Sequence, residues 1–489
     1  LYNHTPIDGI ATAQTPLTMR TKSGLHLSIH EAALVDYSGM NVARVQDGLL
    51  EANLTPSSAG PKVVRDTPFE TPWRVILIAP DAPSLYHANT VFLNLNEPNK
   101  LGDVSWVKPR KYVGVWWGMH LDTQSWASGP KHGATTAYTK KMIDFAAKHG
   151  FGGVLVEGWN KGWDGDWFAT GDDFSFTEPY PDFDIQELSR YGLRKGVRLI
   201  GHHETSGNIA NYERQLAAGL DLYQRLGINS VKTGYVADAG GIQTTDATGR
   251  RIFEWHEGQR MSRHHLHVVE EAAKRRISVN PHEPIKDTGL RRTYPNWITR
   301  EGQRGMEYNA WGEPKNPPHY DTELVFTRML AGPMDFTPGI LSLMGRGNTP
   351  IPSTLARQLA YYVTIYSPIQ MAADLPENYE ANMPAFQFIK DVAVDWDDTR
   401  MLAGAVGDYA VIARKERGKP TWFLGGITDE EARSVTVPLS FLEPGRRYRA
   451  EIYRDGDDAD FRTNPRSIAI ERRTVTSTDS LPIRLAAGG

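Results

Sequence analysis

From Tyr112 onward the hydrophobic positions follow two alternating rhythms. Short apolar runs, "YVGVWWGM", "GGVLVEGW", "VRLIGHHE", "SVKTGYV" and "RISVNPHE", each read as a buried strand. Between them lie stretches of helical spacing: Thr135 to His149, near 184–195, near 208–226, and through "HHLHVVEEAAKRR". Strands alternating with helices in this way imply right-handed βαβ units and a parallel sheet. Three later runs, "MEYNAW", "GPMDFTPGI" and "SPIQMAAD", extend the strand count towards eight. A central (β/α)8 TIM barrel is therefore predicted over 106–385. The flanks carry a different pattern. "LHLSIHEAAL", "MNVARV" and "WRVILIA" predict an N-terminal β-domain over 1–105, and "AVIARK", "PTWFLGGI", "SVTVPLSF" and "RYRAEIYR" an antiparallel C-terminal β-domain over 386–489.

Composition narrows the function classes. At 489 residues, with 40% hydrophobic and 23% charged residues, the chain is a folded multidomain protein. A net charge of −4 without a basic stripe gives no footprint for nucleic acid or for an anionic membrane. With no cysteine there is no disulfide, thiolate nucleophile or cysteine-ligated metal. No apolar run is long enough for a membrane-spanning helix.

Candidate chemistry gathers where barrels carry it, at the C-terminal ends of strands: Glu157, His202, His203, Glu204, Lys232, His282 and Glu283. The stretch from Asn280 to Trp311 adds Glu301 and Glu307 among Lys286, Arg291, Arg292, Arg300 and Arg304. Paired carboxylates fit glycoside hydrolysis, one protonating the leaving oxygen and another acting on water or on the sugar. Trp116, Trp117, Trp159, Trp163 and Trp167 supply flat apolar faces suited to sugar rings. Each has a plainer reading: a tryptophan that packs domains together, a strand-end glutamate that pairs with a nearby arginine. Closely spaced carboxylates also suit Ca²⁺, a hard ion that takes oxygen ligands. "HHLH" at 264–267 looks metal-like but reads as the exposed face of a helix, and "GRGN" at 345–348 lacks the flanks of a phosphate loop.

The strings "SIHEAALVDYSGM", "WVKPRKYVGVWWGMH", "GHHETSGNIANYER", "NPHEPIKDTGLRRTYPN", "REGQRGMEYNAW" and "GPMDFTPGI" resemble glycoside hydrolase family 97 over most of residues 13–375. The resemblance implies an N-terminal β-sandwich, longer upstream than Leu1, ahead of the barrel. It implies an exo-acting enzyme on oligosaccharides or other α-glucosides, exported to the periplasm or outer surface of a Gram-negative bacterium, as a monomer or homodimer.

The family holds inverting α-glucosidases and retaining α-galactosidases. The retaining group carries an Asp nucleophile after the fourth strand, where "VKTGYV" has Gly234. By resemblance, Glu307 is the general acid, Glu204 and Glu283 hold the attacking water, and Glu283, Glu301 and Glu307 bind Ca²⁺. Trp116, His202, Lys232 and His282 match sugar contacts, and Glu31 is a candidate to reach the site across the domain boundary. The long loop "ADAGGIQTTDATGRRIFEWHEGQ" departs from the starch-degrading members. Two other readings stand beside this one: a retaining α-galactosidase recruiting another nucleophile such as Asp238, and a sugar-binding protein without catalysis.

Overall fold

The computed structural model describes residues 5–58 and 60–489. Its centre is a six-stranded parallel sheet built from Arg110–Val115, Gly153–Val156, Arg198–Glu204, Ser230–Gly234 and Ser278–Pro281 in sequential order, with Ile369–Met371 paired beside the first. The second, fourth and fifth of these strands are buried at every position, as a sheet covered on both faces requires.

The covering helices, Thr136–His149, Ile185–Arg194, Ile209–Leu226 and Gln259–Lys274, lie where the periodicity predicts them. Their ends follow local chemistry. Thr135 and Asn208 side chains accept the N–H groups of Tyr138 and Asn211. The Thr136–His149 helix stops at Gly150, whose φ of +80° places it in the left-handed region.

Two of the predicted strands do not form, so the sheet is a half-barrel rather than eight paired strands. "MEYNAW" is a short helix, Glu307–Trp311. Met306 and Ala310 lie on one face at a spacing of four, which a helix buries as readily as a strand does. "GPMDFTPGI" contributes one isolated parallel bridge, Arg300 to Met334. Pro333 and Pro338 lack the N–H groups a ladder needs, and Thr337 has a φ of +57°. The remaining arc is spanned by that bridge, by Val279 to Trp297, and by a bond from Met334 N to Tyr366 O.

The N-terminal region forms two three-stranded sheets, and the C-terminal region one three-stranded sheet and two two-stranded ones. Both regions bind the barrel through buried polar contacts. On the N-terminal side Ala33 N donates to Thr288 O, and Lys286 Nζ donates to Met40 O at 2.6 Å. On the other side the fully buried Arg357 donates to the carbonyl of Gly489 at 3.1 Å. The loop after the fifth strand, which carries Glu283, is thus fixed from outside the barrel.

Candidate active site

The third and fourth strands run in register, with Gly234 directly beside Glu204. Glu204 Oε1 accepts the backbone N–H groups of Ser206 at 2.7 Å and Val236 at 3.1 Å. One residue earlier, the N–H of Tyr235 donates to Glu283 Oε2 at 2.9 Å. Two consecutive peptide groups therefore hold two carboxylates that come from different strands. Glu283 has a φ of +45°, a strained conformation for a side-chain-bearing residue that costs on the order of 1–3 kcal/mol and is typical of ligand clamps. Burial and the charge of Glu283 push Glu204 up; burial and the charge of Glu301 do the same to Glu283.

Gly234 makes this arrangement possible. A Cβ added there would stand 1.8 Å from Glu204 Oε2, so the Glu204 carboxylate fills the space that any side chain at 234 would enter.

Glu307 begins its helix and bends back to accept the N–H of Gly305 at 2.9 Å. Burial, then the nearby charge of Glu301, raises it to about 8, so it holds a proton at neutral pH. Glu301 is held the other way. Burial alone would raise it, but His282 Nδ1 lies 3.2 Å from Oε1 and the Glu283 N–H donates to Oε2, so the carboxylate stays ionised.

The polar floor is formed by ion pairs. Lys232 Nζ donates to Glu157 Oε1 at 2.8 Å and lies 5.7 Å from the Trp116 ring, which is 3% exposed. Trp126 Nε1 donates to the other oxygen of Glu157 at 2.8 Å. His202 is lowered to about 4 by burial and stays neutral, and its buried Nδ1 has no partner among the described residues. His282 differs: its nitrogens face Glu301 and Asp335, which overcome burial and raise it to about 10. A line of rings, Trp311, His120, Trp126 and Trp163, extends from the Glu307 helix and ends with Trp163 stacked 5.8 Å from His202.

The structure brings together Glu204, Glu283, Glu301, Glu307, Trp116, His202, Lys232 and His282. Glu31 lies in the seam between regions, where its carboxylate accepts Met40 N and pairs with Arg74 and Lys286. Sequence reasoning gave no role to Glu157 and overlooked Asp335, Trp126 and Tyr235. Asp335 had a signal, an acid inside an apolar run; it is fully buried and accepts from Tyr112 and Asn280. The "HHLH" expectation is corrected in part. The segment is helical, but His264 and His265 are buried because they face the sheet, and His267 alone of the three is exposed.

Three family models match the chain: the N-terminal part of glycosyl hydrolase 97 over residues 1–98, glycoside hydrolase 97 over 116–303, and the glycosyl hydrolase 97 C-terminal part, described as oligomerisation, over 395–489. A family 97 enzyme from Pseudoalteromonas sp. strain K8, solved with acarbose, is 57% identical, with a TM-score of 0.96 over 99% of this chain and 74% of that one. A variant of the same enzyme, solved with panose, gives a TM-score of 0.95 at 57% identity over 98% of this chain and 74% of its own. A curated relative from Bacteroides thetaiotaomicron, named a retaining alpha-galactosidase, is 29% identical over 99% of this chain and 69% of its own length. Three consecutive family matches, a shared fold at 57% identity and a buried carboxylate cluster at the strand ends agree: the chain is an enzyme of glycoside hydrolase family 97.

Proposed function

We propose that the protein is an exo-acting α-glucosidase that cleaves α-glucosidic bonds of malto-oligosaccharides or related α-glucosides with inversion. The observation that carries this reading is the exclusion at Gly234. The retaining members resembled above carry their nucleophile at this position, and here Glu204 already fills the space. The ligands of the 57% identical relative, acarbose and panose, support glucose over galactose as the recognised unit.

In this reading Glu307 donates its proton to the glycosidic oxygen as the bond lengthens. Glu204 and Glu283 are both pushed upward, first by burial, which makes an ionised oxygen of the pair a stronger base toward the proton of water. The water attacks the anomeric carbon from the face opposite the leaving group, which inverts the configuration. His202 and Lys232, which line the same floor, are the proposed contacts to sugar hydroxyls.

Glu283, Glu301 and Glu307 are the proposed ligands of a Ca²⁺ ion. The donor chemistry fits: they offer hard oxygen donors, and after burial it is the charge of Glu301 that most raises the other two, as in a cluster short of positive charge. Among the described residues no three His, Asp or Glu side chains stand close enough together to hold a metal as they lie. Held by Glu283, Glu301 and Glu307, the ion would supply positive charge that relieves their mutual repulsion.

Glu307→Gln is expected to lower kcat/KM on maltose by about 10²–10⁴-fold. It loses far less on aryl α-glucosides with acidic phenol leaving groups, which depart without a proton. The wild-type profile falls on its alkaline side, where Glu307 loses its proton, and the variant lacks that limb. Equal losses on both substrates would remove the acid role. Gly234→Ala should fold yet lose most activity, because its methyl displaces Glu204; full activity would refute the exclusion. Calorimetric titration of EDTA-treated protein with Ca²⁺ should show binding that Glu301→Gln weakens about 10-fold or more. No heat with either protein would dismiss the ion.

A further inference from the structure

The helix Gln259–Lys274 takes no part in the chemistry above, yet it meets the back of the site at two points. His264 is 1% exposed and both ring nitrogens are engaged: Nδ1 lies 2.8 Å from Glu213 Oε1 and Nε2 lies 3.0 Å from the Tyr235 hydroxyl. The next residue, His265, packs its ring 4.7 Å from that of Tyr235, and its Nε2 accepts the N–H of Ile285, two residues beyond Glu283. Tyr235 is fully buried, and its carbonyl accepts from His256 Nε2 at 3.0 Å. Ring and carbonyl are thus tied down, while the backbone N–H faces Glu283 and the following one faces Glu204.

The proton positions along this chain follow from chemistry. Glu213 is bonded to Arg260 Nη2 and is ionised, so it accepts and Nδ1 of His264 must donate. Burial keeps the imidazole neutral, which leaves Nε2 as an acceptor for the Tyr235 O–H. A directed chain, Tyr235 to His264 to Glu213, therefore anchors the Tyr235 hydroxyl, with the Thr233 side chain also beside it.

We propose that His264, acting with Glu213 through Tyr235, is a positioning residue for the base pair: the chain keeps the Tyr235 and Val236 N–H groups aimed at Glu283 and Glu204. This inference rests on the base role given to those two glutamates. Supporting partners of this kind, one shell removed from the reacting groups, commonly contribute 10–100-fold.

The test is Tyr235→Phe, which removes one oxygen and keeps the ring, together with His264→Leu and His264→Gln, assayed on aryl α-glucosides with good and poor leaving groups. Tyr235→Phe is expected to lower kcat about 10-fold, leave KM unchanged, lower Tm only slightly, and do so equally for both leaving groups, since a defect on the water side is blind to the leaving group. His264→Leu should match it, and His264→Gln, whose amide reaches the Nε2 position, should recover part of the loss. Wild-type kcat in Tyr235→Phe, or losses that track Tm across all three variants, would overturn the proposal. Glu283→Gln, run in parallel, separates the two ideas: if it is inactive while Tyr235→Phe is normal, only the positioning role falls; if it is fully active, the base reading falls and takes the positioning role with it.

Discussion

Two like-charged carboxylates held side by side by two consecutive peptide N–H groups are the constraint around which the central domain is arranged. Bringing Glu204 and Glu283 together out of water is unfavourable, and the backbone of Tyr235 and Val236 offsets part of that cost with one hydrogen bond to each. For this to work the third and fourth strands must be in register, position 234 must lack a side chain, and the loop after the fifth strand must hold Glu283 in a left-handed conformation. The rest of the site answers the same charge problem. Glu301 lies against His282, which Asp335 holds from its other side, and Glu157 is neutralised by Lys232.

Much of this was legible in the chain, because it depends on periodicity and on residue type. The five strands from Arg110 to Pro281 and the four helices of that region follow from spacing alone, and their C-terminal ends named Glu157, His202, Glu204, Lys232, His282 and Glu283 as candidates. What failed was the second half of the barrel. "MEYNAW" and "GPMDFTPGI" are apolar, but so short that burial cannot separate helix from strand, and the prolines and glycines of the latter interrupt a ladder. The Tyr235–His264–Glu213 chain was invisible for another reason. Its members lie far apart in sequence, and a histidine on the buried face of a helix looks like any other until its neighbours are known.

In the proposed reading, Gly234 is the position that decides between inversion and retention. The 29% identical relative is named a retaining alpha-galactosidase, and the 57% identical enzyme was solved with acarbose and panose. Overall fold does not choose between them, since both share it with this chain over nearly its whole length. The choice rests on which carboxylates occupy the strand ends. In this chain the third strand's Glu204 excludes a side chain from the fourth, which favours activation of water over formation of a covalent sugar–enzyme bond.

That choice is read most directly from the first sugar released. Proton NMR of p-nitrophenyl α-glucoside hydrolysis, followed before mutarotation equilibrates the anomers, should show β-glucose accumulating first if Glu204 and Glu283 direct water to the far face. Early α-glucose would mean a double displacement with a nucleophile elsewhere, and would contradict the role assigned to the Gly234 and Glu204 pair.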